Sequence, residues 1–222
     1  NVMERRLDQD LGQIRKSLLR MAATAEGMVA EATEALIQRD SALCRRVIDR
    51  DREVDQMEMD LDEVCHRVLG CRQPTACDLR FLVAVMKITG DLERIGDSAV
   101  NIAQSVLNLN DQPQLKPYVD LPHLSELARG MVRRSLDSFV NEDPGAAAEV
   151  LQSDDEVDAL YKKLFQELQG YMVEDASTVS RALHLLLIAR NLERIGDYAT
   201  NIAEDVIYYV DGRDVRHSVA RA

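Results

Sequence analysis

Apolar residues recur along this chain with a helical period. Leu7, Leu11, Ile14, Leu18, Met21, Ala25, Met28, Ala32 and Ala35 alternate steps of four and three. That heptad seam predicts one helix of about nine turns. Asp40 and Ser41 offer a break and a new N-cap. A second helix then carries Val47, Val54, Met57, Leu61, Val64 and Val68, with Gly70 as its C-terminal stop. Beyond a loop at 72–75, Val85, Ile88, Leu92, Ile95, Ala99, Ile102, Val106 and Leu109 predict a third helix, again in heptad. Residues 110–122 hold Pro113, Pro117 and Pro122, three of the five prolines, and form the one convincing linker.

Past the linker the same order returns. A helix is expected from about Pro122 to Asn141, and Asp143-Pro144 is an N-cap followed by proline at the first helical position. The next helix carries Val150, Val157, Leu160 and Leu164 and is expected to stop near Gly170. The last carries Leu185, Ile188, Leu192, Ile195, Ala199, Ile202, Val206 and Tyr209. The return is an internal repeat: residues 91–104 and 191–204 are identical at 10 of 14 positions, sharing Leu-Glu-Arg-Ile-Gly-Asp. Short connections make neighbouring helices antiparallel, so the predicted fold is all-α, two tandem pseudo-symmetric three-helix bundles. The expected division is 1–110 for the first unit, 111–120 for the linker and 121–222 for the second unit.

Composition narrows the function. With 27 Lys plus Arg against 39 Asp plus Glu, the formal charge is −12. That excess argues against a nucleic-acid binder, which needs a basic stripe to displace counterions. No stretch is long and apolar enough to span a bilayer. None of Cys44, Cys65, Cys71 and Cys77 makes a Cys-x-x-Cys, so buried or inert thiols in a cytosolic setting are expected. A di-iron oxidase site would need two Glu-x-x-His motifs, and Glu63 with His66 is the single match, so a surface position is expected for it. No phosphate-binding glycine loop or nucleophile elbow is present.

The unusual chemistry lies in the acidic residues. Packing accounts for repeated core positions but not for repeated charges beside the core. Glu93 and Asp97, and likewise Glu193 and Asp197, sit four apart on one helical face off the heptad seam. Asp51 and Asp55, and Asp154 and Asp158, do the same on the second helix of each unit. Like charges at that spacing cost a helix about 0.2–0.5 kcal/mol per pair, which points to a cation. Counting about 1.5 Å per residue puts Asp51/Asp55 roughly 26 Å below Gly70 and Glu93/Asp97 roughly 28 Å down the third helix. The two pairs are therefore level on neighbouring antiparallel helices. In the second unit the levels agree only if the helix continues a few residues past Gly170. The competing reading is ordinary ion pairing, since Arg94 lies three residues before Asp97 and Arg194 three before Asp197. All-oxygen donors favour hard ions over structural zinc.

With Gln73 to Arg80 ahead of the first Leu-Glu-Arg-Ile-Gly-Asp, the chain resembles the PhoU family of phosphate-signalling regulators over both repeats, roughly residues 5–212. The resemblance implies metal-binding motifs at Asp51, Asp55, Glu93, Asp97, Asp154, Asp158, Glu193 and Asp197. The implied cofactor is a divalent or trivalent metal ion, Fe, Mn or Mg, with zinc as an alternative. It further implies a non-enzymatic, metal-binding adaptor, a negative regulator of phosphate uptake and of the phosphate-starvation response. Such an adaptor links the ATPase of a phosphate ABC transporter to a sensor histidine kinase. It would be a cytoplasmic homodimer, peripheral to the inner membrane through protein partners, with no nucleic acid bound and no membrane insertion. Glu174 to Arg181 departs from the pattern in the second unit, so partner contact by Gln73, Asp78 and Arg80 is expected from the first unit only. The alternative from another class is a metal-dependent hydrolase or oxidase on a helical bundle. The sequence supplies no acid or base beside the metal for that role.

Overall fold

The computed structural model describes residues 2–72 and 74–215. Among these residues every regular element is helical: α1 (Val2–Gln38), α2 (Ser41–Asp49), α3 (Asp51–Cys71), α4 (Ala76–Asn110), α5 (Asp120–Asn141), α6 (Pro144–Glu174) and α7 (Val179–Asp211), with a 3₁₀ turn at Ala176–Thr178. The expected second helix is thus two segments. Arg50 divides them but keeps right-handed helical angles (φ −76°, ψ −12°), and its N–H still reaches the Arg46 carbonyl, so the break is a bend. Gly70 and Gly170 do not end their helices; α3 runs on to Cys71 and α6 to Glu174.

The heptad positions form the core. Ile14, Leu18, Met21, Ala25, Met28, Ala32 and Ala35 on α1 are buried, as are the named seams of α4 and α7, with Tyr209 packed at the edge. Helices α1, α2 and α3 lie on α4, while α5 and α6 lie on α7. The two central helices pack extensively on each other, so the units share one continuous core. They run antiparallel: Lys87 pairs with Asp205, and four residues further along α4, Asp91 accepts from Asn201, four residues back along α7. A second strut joins α1 to α5 through the buried Thr33–Ser125 hydroxyl pair at 2.8 Å, a bond contributing about 1 kcal/mol.

The repeat extends to the turns. Arg39 before α2 and Glu142 before α6 both adopt left-handed backbone, at φ 55° and 54°. Each is followed by an aspartate N-cap, Asp40 accepting from Ala42 and Leu43 N–H, Asp143 from Gly145 and Ala146 N–H. Arg39 then donates to the Leu109 and Asn110 carbonyls, closing the C-terminus of α4. No helix of the described residues is long and apolar enough to cross a membrane.

Candidate metal centres

Each candidate centre is built by a glycine. A Cβ on Gly96 would lie 3.3 Å from Val54 Cγ1, and one on Gly196 would lie 3.3 Å from Val157 Cγ1. The missing side chain lets the third helix of each unit approach the second closely. Val54 lies between Asp51 and Asp55 in sequence and Gly96 between Glu93 and Asp97, so the close approach sets the acidic pairs facing each other. In the second unit the Asp154 carboxylate lies only 3.6 Å from the position of a Gly196 Cβ.

The electrostatics are consistent with carboxylates brought near one another across each seam. In the first unit burial, then Asp97, Glu58 and Asp55, push Glu93 up to about 7, with Arg94 opposing. Asp51 is raised by burial and by Asp55 and Asp97. Glu58, which the repeat comparison did not select, belongs to the same group; burial, Asp62, Asp55 and Asp97 raise it. In the second unit burial, then Asp197, Asp158 and Asp155, push Asp154 up to about 6. Glu193 is raised by burial and by Asp197, against Arg190. Asp197 is raised by burial and by Asp158, against Arg190 and Arg194. Gathered, half-buried carboxylates hold protons more tightly than free ones, and a bound cation would reverse that shift.

Among the described residues the Arg94–Asp97 and Arg194–Asp197 ion pairs of the competing reading do not form. Arg94 bonds Asp91 at 3.0 Å, and Arg194 donates to the Tyr198 hydroxyl at 2.6 Å. Among the described residues no ion pair engages Asp51, Asp55, Glu58, Glu93 or Asp97. The second unit differs: Arg190 binds Glu193 Oε1 at 2.6 Å and the exposed Lys162 lies 3.6 Å from Asp158. Glu193 is 8% exposed, and its second oxygen, Oε2, is buried with no partner.

These residues fit a hard cation. The donors are all oxygen, the carboxylates face across a helix seam, and a buried carboxylate oxygen lacks a partner. As they stand the seams are open. Among the described residues no three His, Cys, Asp or Glu side chains already enclose an ion position.

The other assigned residues are elsewhere. Gln73 lies outside the described residues. Asp78 and Thr75 cap α4 reciprocally, with Thr75 N–H donating to Asp78 Oδ2 at 2.8 Å. Arg80 Nε donates to the Tyr209 carbonyl at 3.0 Å, tying the start of α4 to the end of α7. Asp78 and Arg80 therefore have local structural work at the end of the molecule where α4 begins. Glu63 and His66 are exposed, matching the surface reading. Cys44 and Cys65 are buried, with thiols pushed up to about 11, whereas Cys71 and Cys77 are exposed free thiols.

Comparison with known proteins identifies the family and the fold. The PhoU domain family matches this chain twice, at residues 18–106 and 121–206. The chain is 42% identical to the phosphate-specific transport system accessory protein PhoU homolog of Pseudomonas putida, over 97% of this chain and 84% of that protein. It is 38% identical to the corresponding PhoU of Escherichia coli strain K12, over 94% and 86%. The crystal structure of PhoU from Pseudomonas aeruginosa superposes with a TM-score of 0.89 at 41% identity, covering 93% of this chain and 99% of that one. The phosphate transport system regulatory protein PhoU from Streptococcus pneumoniae gives 0.87 at 27% identity, covering 94% and 99%.

Proposed function

The chain belongs to the PhoU family, and from that premise we propose that it is a metal-binding adaptor in phosphate control. It represses phosphate uptake and the phosphate-starvation response while phosphate is plentiful, by linking the ATPase of a phosphate ABC transporter to a sensor histidine kinase. The observation that carries this reading is the family match across both halves, with relatives named as accessory and regulatory proteins of phosphate transport. The structure supports it in kind: the chemistry lies along two half-buried helix seams and not in an enclosed pocket.

Asp51, Asp55, Glu58, Glu93 and Asp97 would hold the metal in the first unit, and Asp154, Asp158, Glu193 and Asp197 in the second. Fe, Mn or Mg would supply positive charge to an otherwise repulsive surface, with zinc as the alternative. The chain's own residues do the rest: the Gly96–Val54 and Gly196–Val157 contacts fix the spacing of the carboxylates. With a formal charge of −12, the chain is repelled by anionic lipid within a Debye length of about 8 Å. Attachment at the inner membrane from the cytoplasm therefore comes from protein partners. A homodimer presenting four seams, with contacts near Gln73, Asp78 and Arg80, completes the reading.

Deleting the gene in its host should raise alkaline phosphatase expression and phosphate uptake in phosphate-rich medium. Unchanged phosphatase and uptake in the deletion strain would overturn the proposal.

A further inference from the structure

The two seams are not chemically equivalent, and the difference sits in one slot. The repeat alignment that pairs Asp55 with Asp158 pairs Glu58 with Tyr161, and the one that pairs Glu93 with Glu193 pairs Gly90 with Arg190. In the first unit Glu58 lies against Gly90, its Oε1 3.9 Å from where a Cβ would stand. In the second unit the slot is inverted. Arg190 lies 5.9 Å from the centroid of the Tyr161 ring and binds Glu193 Oε1 at 2.6 Å. An anion facing a bare backbone is replaced by a cation resting on an aromatic face, an arrangement that holds the guanidinium in place. The first seam thus adds Glu58 where the second carries its own guanidinium, and the second keeps one bordering carboxylate of its own, Asp155 beside Asp154. Arg94 and Arg194 do not even this out. They occupy equivalent positions, and neither makes an ion pair with a carboxylate of its seam.

We propose that Arg190 is a built-in competitor for metal, so that the two centres fill in order, the first before the second. This rests on the reading of the seams as cation sites. A metal entering the first seam meets no cation ion-paired to its carboxylates, since Arg94 is held on Asp91, and it finds Glu58 beside them. A metal entering the second must displace Arg190 from Glu193 or share that carboxylate with it. The remaining Glu193 oxygen, buried and without a partner, is the atom it would use. The guanidinium cannot lose its proton to make way, so the competition persists across the physiological pH range. The second seam would then respond over a higher range of free metal than the first.

The test is a Mn²⁺ titration of the full chain, read by paramagnetic broadening of backbone amides around Gly96 and around Gly196. In the native protein the Gly96 signals should broaden at about tenfold lower Mn²⁺ than the Gly196 signals, a difference of about 1.4 kcal/mol. Arg190→Gln, which removes the charge and keeps a helix-forming side chain, should bring the second midpoint towards the first. Gly90→Arg should raise the first midpoint, and Tyr161→Glu should lower the second. Equal midpoints in the native protein, or an Arg190→Gln variant with an unmoved second midpoint, would overturn the proposal and leave the cation sites standing. No broadening at either place would instead overturn the reading of the seams as cation sites.

Discussion

The first and second units keep the same close helix approach and the same four acidic positions, yet they surround them differently. In the first unit the helix facing α4 bends at Arg50, whose guanidinium binds Glu31 at 2.6 Å, and the seam carries Glu58. In the second unit α6 is continuous, an aromatic residue replaces Glu58, and Arg190 lies on Glu193. Duplication has held fixed what brings the helices together and let the bordering charges diverge. Packing tolerates little change at Gly96 or Gly196, whereas a half-exposed border can change sign at small cost in stability.

That contrast can be broken most sharply at the glycines. Gly196→Val should destabilise towards the upper end of about 1–3 kcal/mol, because Val157, Asp154 and Met131 all lie within reach of the new side chain. Gly96→Val should cost less, since its nearest atoms all belong to Val54, one side chain that can shift, and urea unfolding of the two variants would show the order. A larger loss at Gly96 would mean that the first unit packs more tightly.

Metal removal comes next. Asp97→Asn should reduce metal bound in the first unit and leave the second largely intact. Saturating Mn²⁺ at about 100 times Kd should add about 2.7 kcal/mol of stability to the native chain. Thermal unfolding with and without a chelator measures that gain, and Asp97→Asn should lose part of it.

The repeat, the helical seams, both aspartate N-caps and the repetition of the eight acidic residues were legible in the sequence, because heptad spacing and duplication are properties of a string; the bend at Arg50 and the run of α6 past Gly170 were not. Glu58 and Arg190 were missed for the same reason: comparing the halves rewards identity, and these two matter because they differ. A signal did exist, since Glu58 stands three residues after Asp55 and Arg190 three before Glu193, both on the acidic face of a helix. Arg94 and Arg194 pair with Asp91 and Tyr198 on their own helices and not with the aspartates of the competing reading; several partners stood at helical spacing, and spacing alone does not choose among them. Nor did the string show that α4 and α7 would join into one core, since the residues that join them belong to helices of different units.

A smaller effect sharpens the comparison in solution. In metal-free protein Glu93 should titrate near 7, while Glu193 should also be raised, by burial and Asp197, with Arg190 opposing. Because the folded value of Glu93 is raised, its contribution to stability is fully present below the unfolded value of about 4.5. It is lost as pH rises through about 7. Carboxyl ¹³C shifts across that window would read both residues, and Mn²⁺ should abolish the Glu93 step. Smallest of all, Lys162→Met, the residue the first unit carries at Met59, should change stability by less than about 0.5 kcal/mol, because the pair with Asp158 is exposed.

The central claim, that both acidic seams bind metal, is tested most directly by elemental analysis of the purified chain beside an Asp97→Asn/Asp197→Asn double variant. The native protein should retain Fe, Mn, Mg or Zn through gel filtration, and the folded double variant should lose most of it. Equal metal content in the two proteins, or none in the native chain after incubation with each of these ions, would contradict the claim.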